Sequence, residues 1–329
     1  MILSKREWAL SALGSLPAVC LAPDPSPVQE LARLRRALGG GPRLLVKRDD
    51  ALAFACGGNK VRKMQTVAAT ALAAGADSLV TCGGIQSNHA RVTAAVAARL
   101  GLRCDLIVNG SGAAKPAGNH LLMRLFGAHL VHIESRAERA PAMAAAADRL
   151  RAEGRKPYVI PIGASTAVGA AGVMRGVAEI LDQGVEPDVI VHASSSGGTQ
   201  AGLVAGCDAF GVRAEVIGIS ADEPASEVAT EVQTILEGLM SLIDNPAFTH
   251  AAKPRVHVDD RFVGEGYGRP TEQSLEAMDL AARTEGLILD PVYTAKSMAA
   301  VIAYVREGRF SPDQTLLFWH TGGIPGLFV

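Results

Sequence analysis

DVIVHASSSGGTQAGLVAGCDAF, residues 188–210, passes from an apolar run through a turn into a helix. DVIVHA is short, rich in β-branched residues and without polar alternation, as in a strand buried on both faces. SSSGG is a turn of small hydroxylated and glycyl residues, and GTQAGLVAGCDAF reads as the helix that follows. The same unit repeats along the chain. RLLVKRD (43–49), DSLVTC (77–82), CDLIVN (104–109), AHLVHI (128–133), PYVIPI (157–162), AEVIGIS (214–220) and TLLFWH (315–320) are strand-like, separated by segments long enough for crossover helices. Two such helices are expected over about 60–74 and 88–100. The alternation predicts an α/β fold of mostly parallel sheets covered by helices.

With 329 residues the chain exceeds the usual size of one core, so two domains are expected. Lys plus Arg, 32, nearly balances Asp plus Glu, 33, which argues against nucleic acid or an anionic membrane as partner and for a small molecule. The five cysteines, Cys20, Cys56, Cys82, Cys104 and Cys207, are scattered and lack a C-x-x-C pair. They suggest neither a disulfide framework nor zinc, and hence a reducing, cytoplasmic setting. MILSKREWALSALGSLPAV has no apolar core of signal-peptide length, and no segment has the roughly 18 apolar residues of a membrane span.

Glycine-rich turns follow three of the strand-like runs: CGGIQSN (82–88), SSSGGTQAG (194–202) and HTGGIPG (320–326). Ligands of open parallel sheets bind beyond the carboxyl ends of strands, so the three turns are expected to line one cleft. In SSSGGTQAG, free N–H groups, the helix dipole and the hydroxyls of Ser196 and Thr199 suit a phosphate, although a capped helix start accounts for the residues equally well. No G-x-x-x-x-G-K-[ST] occurs, and GSGAAK (110–115) lacks the last glycine of G-x-G-x-x-G.

In ACGGNKVRKM (55–64) Lys60 opens a helix, where its charge is disfavoured and its pKa is lowered. A lysine so placed is a candidate Schiff-base nucleophile, against the bland reading of a solvated surface lysine. Arg62 reads as a solvated helix residue. In CGGIQSNHA, Ser87 or Asn88 caps a helix whose N–H groups could receive a carboxylate, and His89 reads more simply as a solvated or core histidine. Tyr267 and Tyr293 are two of only four tyrosines, and both sit in turns marked by Gly or Pro. No G-x-S-x-G or H-E-x-x-H is present, and the eight histidines show no metal-ligand spacing. Asp49-Asp50 and Asp259-Asp260 lie in strand-like runs, which would turn each pair to opposite faces.

These motifs, with KRDD, GGNKVRK, PYVIPIGAS, GYGRP and EGLILDPVYTAKSM, run in order from PSPVQEL (25–31) to the C-terminus. Together they resemble pyridoxal-phosphate enzymes of the tryptophan synthase β fold type (fold type II), in the branch of D-cysteine desulfhydrase and 1-aminocyclopropane-1-carboxylate deaminase. The resemblance implies two three-layer α/β domains, residues 61–168 forming a smaller one inserted between 1–60 and 169–329, with pyridoxal 5'-phosphate between them in a homodimer. It implies that Lys60 is the covalent anchor, and that Lys63 and Ser196, Gly197, Gly198 and Thr199 hold the phosphate. Asn59 and Asn88 would contact the cofactor, Asn88 at its phenolic oxygen, and Ser87, Asn88 and His89 would receive the substrate carboxylate. Tyr267 and Tyr293 would lie over the substrate.

The implied reaction is β-elimination, most simply D-cysteine to pyruvate, sulfide and ammonia. Alternatives are elimination of sulfite from L-cysteate, ring opening of 1-aminocyclopropane-1-carboxylate, or a binding protein that holds the cofactor without turnover. In the deaminases the positions of Thr294 and Thr321 resemble glutamate and leucine. A neutral hydroxyl near the pyridine nitrogen gives a weaker electron sink, sufficient for β-elimination. The first thirty residues, PVQEL and Cys56 depart from the family pattern.

Overall fold

The computed structural model describes residues 4–110, 115–243 and 256–329. Most of GSGAAK lies outside them. Ten strands occur in the described residues: β1 (Val28–Glu30), β2 (Arg43–Arg48), β3 (Ser78–Gly84), β4 (Arg103–Asn109), β5 (His129–Ile133), β6 (Pro157–Val159), β7 (Val189–Ser194), β8 (Glu215–Ser220), β9 (His257–Asp259) and β10 (Thr315–His320). They form a six-stranded sheet in the order β1-β2-β10-β7-β8-β9 and a four-stranded one in the order β5-β4-β3-β6. Every pairing is parallel except β1 with β2.

Alternate residues of the strands feed opposite cores, as the period of two requires. In the larger sheet Leu45, Ile190 and Leu317 point to one side, where the Ala167–Asp182, Gly198–Phe210 and Ala225–Ile243 helices cover them. Val46, Val191 and Phe318 point to the other, against the Glu272–Glu285 and Thr294–Arg306 helices. In the smaller sheet Leu79 and Leu106 meet the Asn59–Ala73 and Asn88–Leu100 helices, while Val80 and Ile107 meet the Arg139–Ala152 helix. Two three-layer α/β arrangements result. Among the described residues no helix is long and apolar enough to cross a membrane.

The sequence reading missed the edge strand β1, only three residues long and with little apolar pattern, while the strand-like run that holds Asp259 is β9, which ends at Asp259 and leaves Asp260 outside it. It also misplaced Asp49-Asp50. They form a 3₁₀ turn after β2, and each carboxylate has its own cation: Asp49 meets Arg62, and Asp50 meets Arg48.

Arg62 is likewise buried, 2% exposed, rather than solvated. Its guanidinium donates to Asp49 Oδ1 at 2.7 Å and Oδ2 at 2.8 Å, to Ser26 Oγ at 2.9 Å and to both Glu179 oxygens at 2.7 and 2.8 Å. Trp319 Nε1 donates to Asp49 Oδ2 at 2.7 Å. Burial alone would raise the Asp49 carboxyl, but the charge and hydrogen bonds of Arg62 and the Trp319 bond outweigh it and hold it below the usual range.

Asp49→Ala leaves the buried guanidinium short of a counter-charge and is expected to cost about 3–5 kcal/mol, read as a lower denaturant midpoint. Because the folded carboxyl titrates below the unfolded one, its contribution is complete above about pH 4 and is lost as pH falls through the folded value. The difference in stability between wild type and Asp49→Ala should therefore shrink on acidification. A difference independent of pH would contradict the assignment.

Candidate active site

A cleft of about 430 Å³ opens between the two sheets. It is lined by the ends of β3 (Gly83, Gly84) and β7 (Ala193, Ser194), by Thr321 and Gly322 beyond β10, and by the starts of three helices. The three glycine-rich turns meet there. Lys60 and Lys63 project into it from the first two turns of the Asn59–Ala73 helix, one turn apart on one face. Ser87, Asn88 and His89 enter from the start of the Asn88–Leu100 helix, and Ser196, Gly197 and Thr199 from the start of the Gly198–Phe210 helix.

The loop before Lys60 is unusual in backbone. Ala55, Cys56, Gly57 and Gly58 all have positive φ, from 48° to 101°. At Gly58 a Cβ would stand 2.9 Å from the Thr321 carbonyl oxygen, so only glycine lets the loop pass the β10 turn. Cys56 is exposed in this run, and nothing in the structure gives its thiol a role.

Lys60 Nζ donates to Asn59 Oδ1 at 3.1 Å, and Asn59 Nδ2 donates to Thr199 Oγ1 at 2.8 Å. Burial lowers the Lys60 amine to about 8; the neighbouring Arg91 charge adds to this and Asp290 opposes it. Lys63 Nζ donates to Ser165 Oγ at 3.0 Å and to the Gly163 carbonyl at 3.2 Å. Its amine is pushed well down by burial and by Lys60. Ser165 Oγ in turn lies 2.8 Å from Ser196 Oγ. A Cβ at Gly198 would be 2.8 Å from Lys63 Nζ and from Ser165 Cα. The turn thus presents backbone N–H groups at a helix start, that of Gly198 already donating to the Ser196 carbonyl at 2.9 Å, beside a lysine and two serines, a set of donors that fits a phosphate.

Ser87 Oγ accepts from the Ala90 N–H at 3.2 Å, so Ser87 caps its helix and Asn88 is the first helical residue. His89 is a core histidine: Nε2 is 2.8 Å from Thr81 Oγ1, and burial pulls its pKa far down. The residue lines the cleft, and its Nδ1 has no hydrogen-bond partner among the described residues. Across the cleft Tyr267 and Tyr293 hydroxyls are 2.6 Å apart, with rings edge to face. Burial, first among the causes, raises both above the usual phenol value, so both are protonated at neutral pH and the pair keeps one hydroxyl proton uncommitted.

Thr321 lines the cleft, but Thr294 does not. The Thr294 hydroxyl donates to Asp290 Oδ1 at 2.6 Å and accepts from the Asp290 N–H at 2.7 Å, fully buried. Other residues escaped the sequence reading. Asp290 Oδ2 accepts from the Val292 and Tyr293 N–H groups, both at 3.0 Å, and so orients Tyr293. Buried Lys296 donates to the carbonyls of Ala221, Val263 and Gly266 and pins the loop that carries Tyr267. Ser165 and these two residues lie in PYVIPIGAS and LDPVYTAKS, but nothing local in those stretches says what each side chain will meet.

Residues 19–322 match the family described as pyridoxal-phosphate dependent enzyme. This chain belongs to that family. The enzyme is 39% identical over 329 residues to D-cysteine desulfhydrase of Klebsiella pneumoniae (strain 342), covering 98% of each chain. It is 39% identical over 328 residues to D-cysteine desulfhydrase of Salmonella typhi, covering 97% of this chain and 98% of the relative. A solved structure of an ACC deaminase homologue superposes with a TM-score of 0.89 at 32% identity, covering 97% of this chain and 96% of that one. The enzyme is a pyridoxal-phosphate-dependent lyase of fold type II.

In the cofactor-free enzyme Lys60 should be half protonated near pH 8, against about 10.4 for a free lysine. Trinitrophenylation followed over pH is expected to show a fast-reacting amine whose rate rises through a midpoint near 8 and which is missing in Lys60→Ala. A midpoint near 10 would refute the assignment.

Proposed function

We propose that this enzyme eliminates the thiol of D-cysteine, converting D-cysteine and water to pyruvate, hydrogen sulfide and ammonia. The observation that carries the reading is the Tyr267–Tyr293 hydroxyl pair, 2.6 Å apart, in the same cleft as a lysine whose amine titrates near 8. A base for the Cα proton and an acid for a departing sulfur are thus both at hand. The full-length similarity to D-cysteine desulfhydrases supports the same substrate class.

In this reading Lys63, Ser196, Thr199 and the N–H groups of the Gly197-Gly198 turn hold the cofactor's phosphate. Lys60 is its covalent anchor, Asn59 and Thr199 keep the Lys60 amine in place, and the Asn88 amide faces the ring. Thr321 lines the same cleft, its carbonyl accepting from the Asn59 N–H at 3.1 Å, and its neutral hydroxyl would serve the pyridine nitrogen. Pyridoxal phosphate, when bound, supplies a sink for the electron pair left at Cα. Ser87 and the N–H groups at the start of its helix receive the substrate carboxylate. The freed Lys60 amine takes the Cα proton, and the tyrosine pair, held protonated, supplies one to the sulfur as the Cβ–S bond breaks.

Residues 61–168 are taken as the smaller domain. All four strands of the smaller sheet fall within those limits, and the Asn59–Ala73 helix crosses the first.

One preparation offered D-cysteine, 3-chloro-D-alanine, L-cysteate and 1-aminocyclopropane-1-carboxylate tests the substrate. Equal yields of pyruvate and sulfide from D-cysteine at the highest kcat/KM are expected. Sulfite from L-cysteate without sulfide from D-cysteine would replace the reading. Tyr293→Phe should lower kcat by roughly 10²–10⁴-fold and leave the visible absorption of the bound cofactor in place, whereas Lys60→Ala should abolish that absorption. A purified protein with the absorption but no turnover of any of the four would mark a binding protein.

A further inference from the structure

Arg91 is 1% exposed, and no carboxylate lies within ion-pair distance of it among the described residues. Burial draws even its guanidinium down to about 10. A buried cation without a counter-ion is costly, so its hydrogen bonds must define its place. Nη1 donates to Asn88 Oδ1 and to Asn119 Oδ1, both at 2.9 Å, and Nη2 donates to the Gly57 carbonyl at 2.8 Å. Asn119 Nδ2 donates to the same Asn88 oxygen at 2.9 Å and to the Gln86 carbonyl at 2.8 Å. The Asn119 N–H donates to Gln86 Oε1 at 2.9 Å.

An arginine can only donate. Whatever atom of Asn88 or Asn119 faces it must therefore be the amide oxygen, and the NH₂ of each is sent the other way. For Asn119 that is toward Asn88 Oδ1 and Gln86. Asn88 Oδ1 then accepts twice, and its NH₂ is left toward the cleft that Asn88 lines. Reversing the Asn88 amide would set its two donors against a guanidinium and a second NH₂. The third contact, to Gly57, ties the left-handed loop before Lys60 to the same guanidinium.

We propose that Arg91 and Asn119 are positioning residues for the cofactor: Arg91 sets the direction of the Asn88 amide, Asn119 seconds it, and Asn88 can then only donate into the cleft. The proposal rests on the reading that Asn88 faces the cofactor ring. An oxygen on that ring, negatively charged or hydrogen-bonding, is the group such a donor would recognise. Lysine could not replace Arg91, because one ammonium nitrogen on a flexible stem does not reproduce three bonds made from two guanidinium nitrogens.

The test uses the loaded enzyme and two readouts besides turnover: the visible circular dichroism of the bound cofactor and its dissociation constant. Arg91→Gln, Arg91→Lys, Asn119→Ser and Asn88→Ala are compared singly, and the first three again in the Asn88→Ala background. Each single variant is expected to weaken cofactor binding roughly tenfold, as for a lost buried hydrogen bond, and to change the dichroism in the same sense. In the Asn88→Ala background Arg91→Gln and Asn119→Ser should add little to either readout. Effects that add fully to that of Asn88→Ala, or rescue by Arg91→Lys, would overturn the proposal and leave Arg91 a fold-stabilising residue. Should Arg91→Gln not fold, Asn119→Ser decides by the same additivity. If Asn88→Ala itself leaves both readouts unchanged, the reading of Asn88 fails and the proposal falls with it.

Discussion

The Arg62–Asp49 pair fixes the helix from which the chemistry projects. Asp49 opens the 3₁₀ turn that follows β2 of the larger sheet, Glu179 belongs to the Ala167–Asp182 helix and Trp319 to β10. Arg62 thus joins the Asn59–Ala73 helix to three elements of the larger sheet, while the same helix packs by Val67 and Ala71 into the core of the smaller one. A buried ion pair contributes little net stability by itself but is costly to break, and such groups define arrangement more than energy. Here the arrangement is the direction of Lys60 and Lys63, which leave the helix toward the cleft.

That pairing requires close approach of backbones. The Ala167–Asp182 helix presents Gly172 and Gly176 to the Asn59–Ala73 helix, and a Cβ at Gly176 would stand 2.8 Å from Trp319 and 3.1 Å from the Arg62 guanidinium. On its other flank Gly202 and Gly206 of the Gly198–Phe210 helix nest against Val173 and Val177. Three helices are therefore stacked at glycine distance, two of them beginning at the cleft. Volume added to these contacts would move the Ser196–Thr199 turn relative to Lys63, a link between packing and site that no cleft residue reveals.

Much of the architecture was legible because parallel strands buried on both faces are short, apolar and punctuated by glycine turns. The turns also disclosed which strand ends face the cleft. What escaped were relations between distant residues. Arg62 reads as a surface residue until Asp49, Ser26 and Glu179 are brought around it, and Glu179 lies 117 positions away. Arg91 and Asn119 carry no local pattern; their meaning is a hydrogen-bond direction, which exists only once the Gly118–Leu125 helix is placed beside the Asn88–Leu100 helix. The edge strand β1 was lost for a different reason, since its three residues are half-buried or exposed and show no apolar pattern.

Thr294 illustrates how a position can matter without facing the cleft. Its hydroxyl both donates to Asp290 and accepts from it, and Asp290 holds the N–H groups of Val292, Tyr293 and Thr294. A glutamate at 294 could offer that carboxylate no proton when ionised and would set a second negative charge beside it. The Asp290 grip on the Tyr293 backbone would loosen, and with it the 2.6 Å contact to Tyr267. Threonine at this position is thus tied to a tyrosine pair held in one geometry as well as to the neutrality of the site. Through Asp290 and Tyr293, residue 294 bears on the tyrosine pair that lines the cleft with Lys60, although Thr294 itself does not line it.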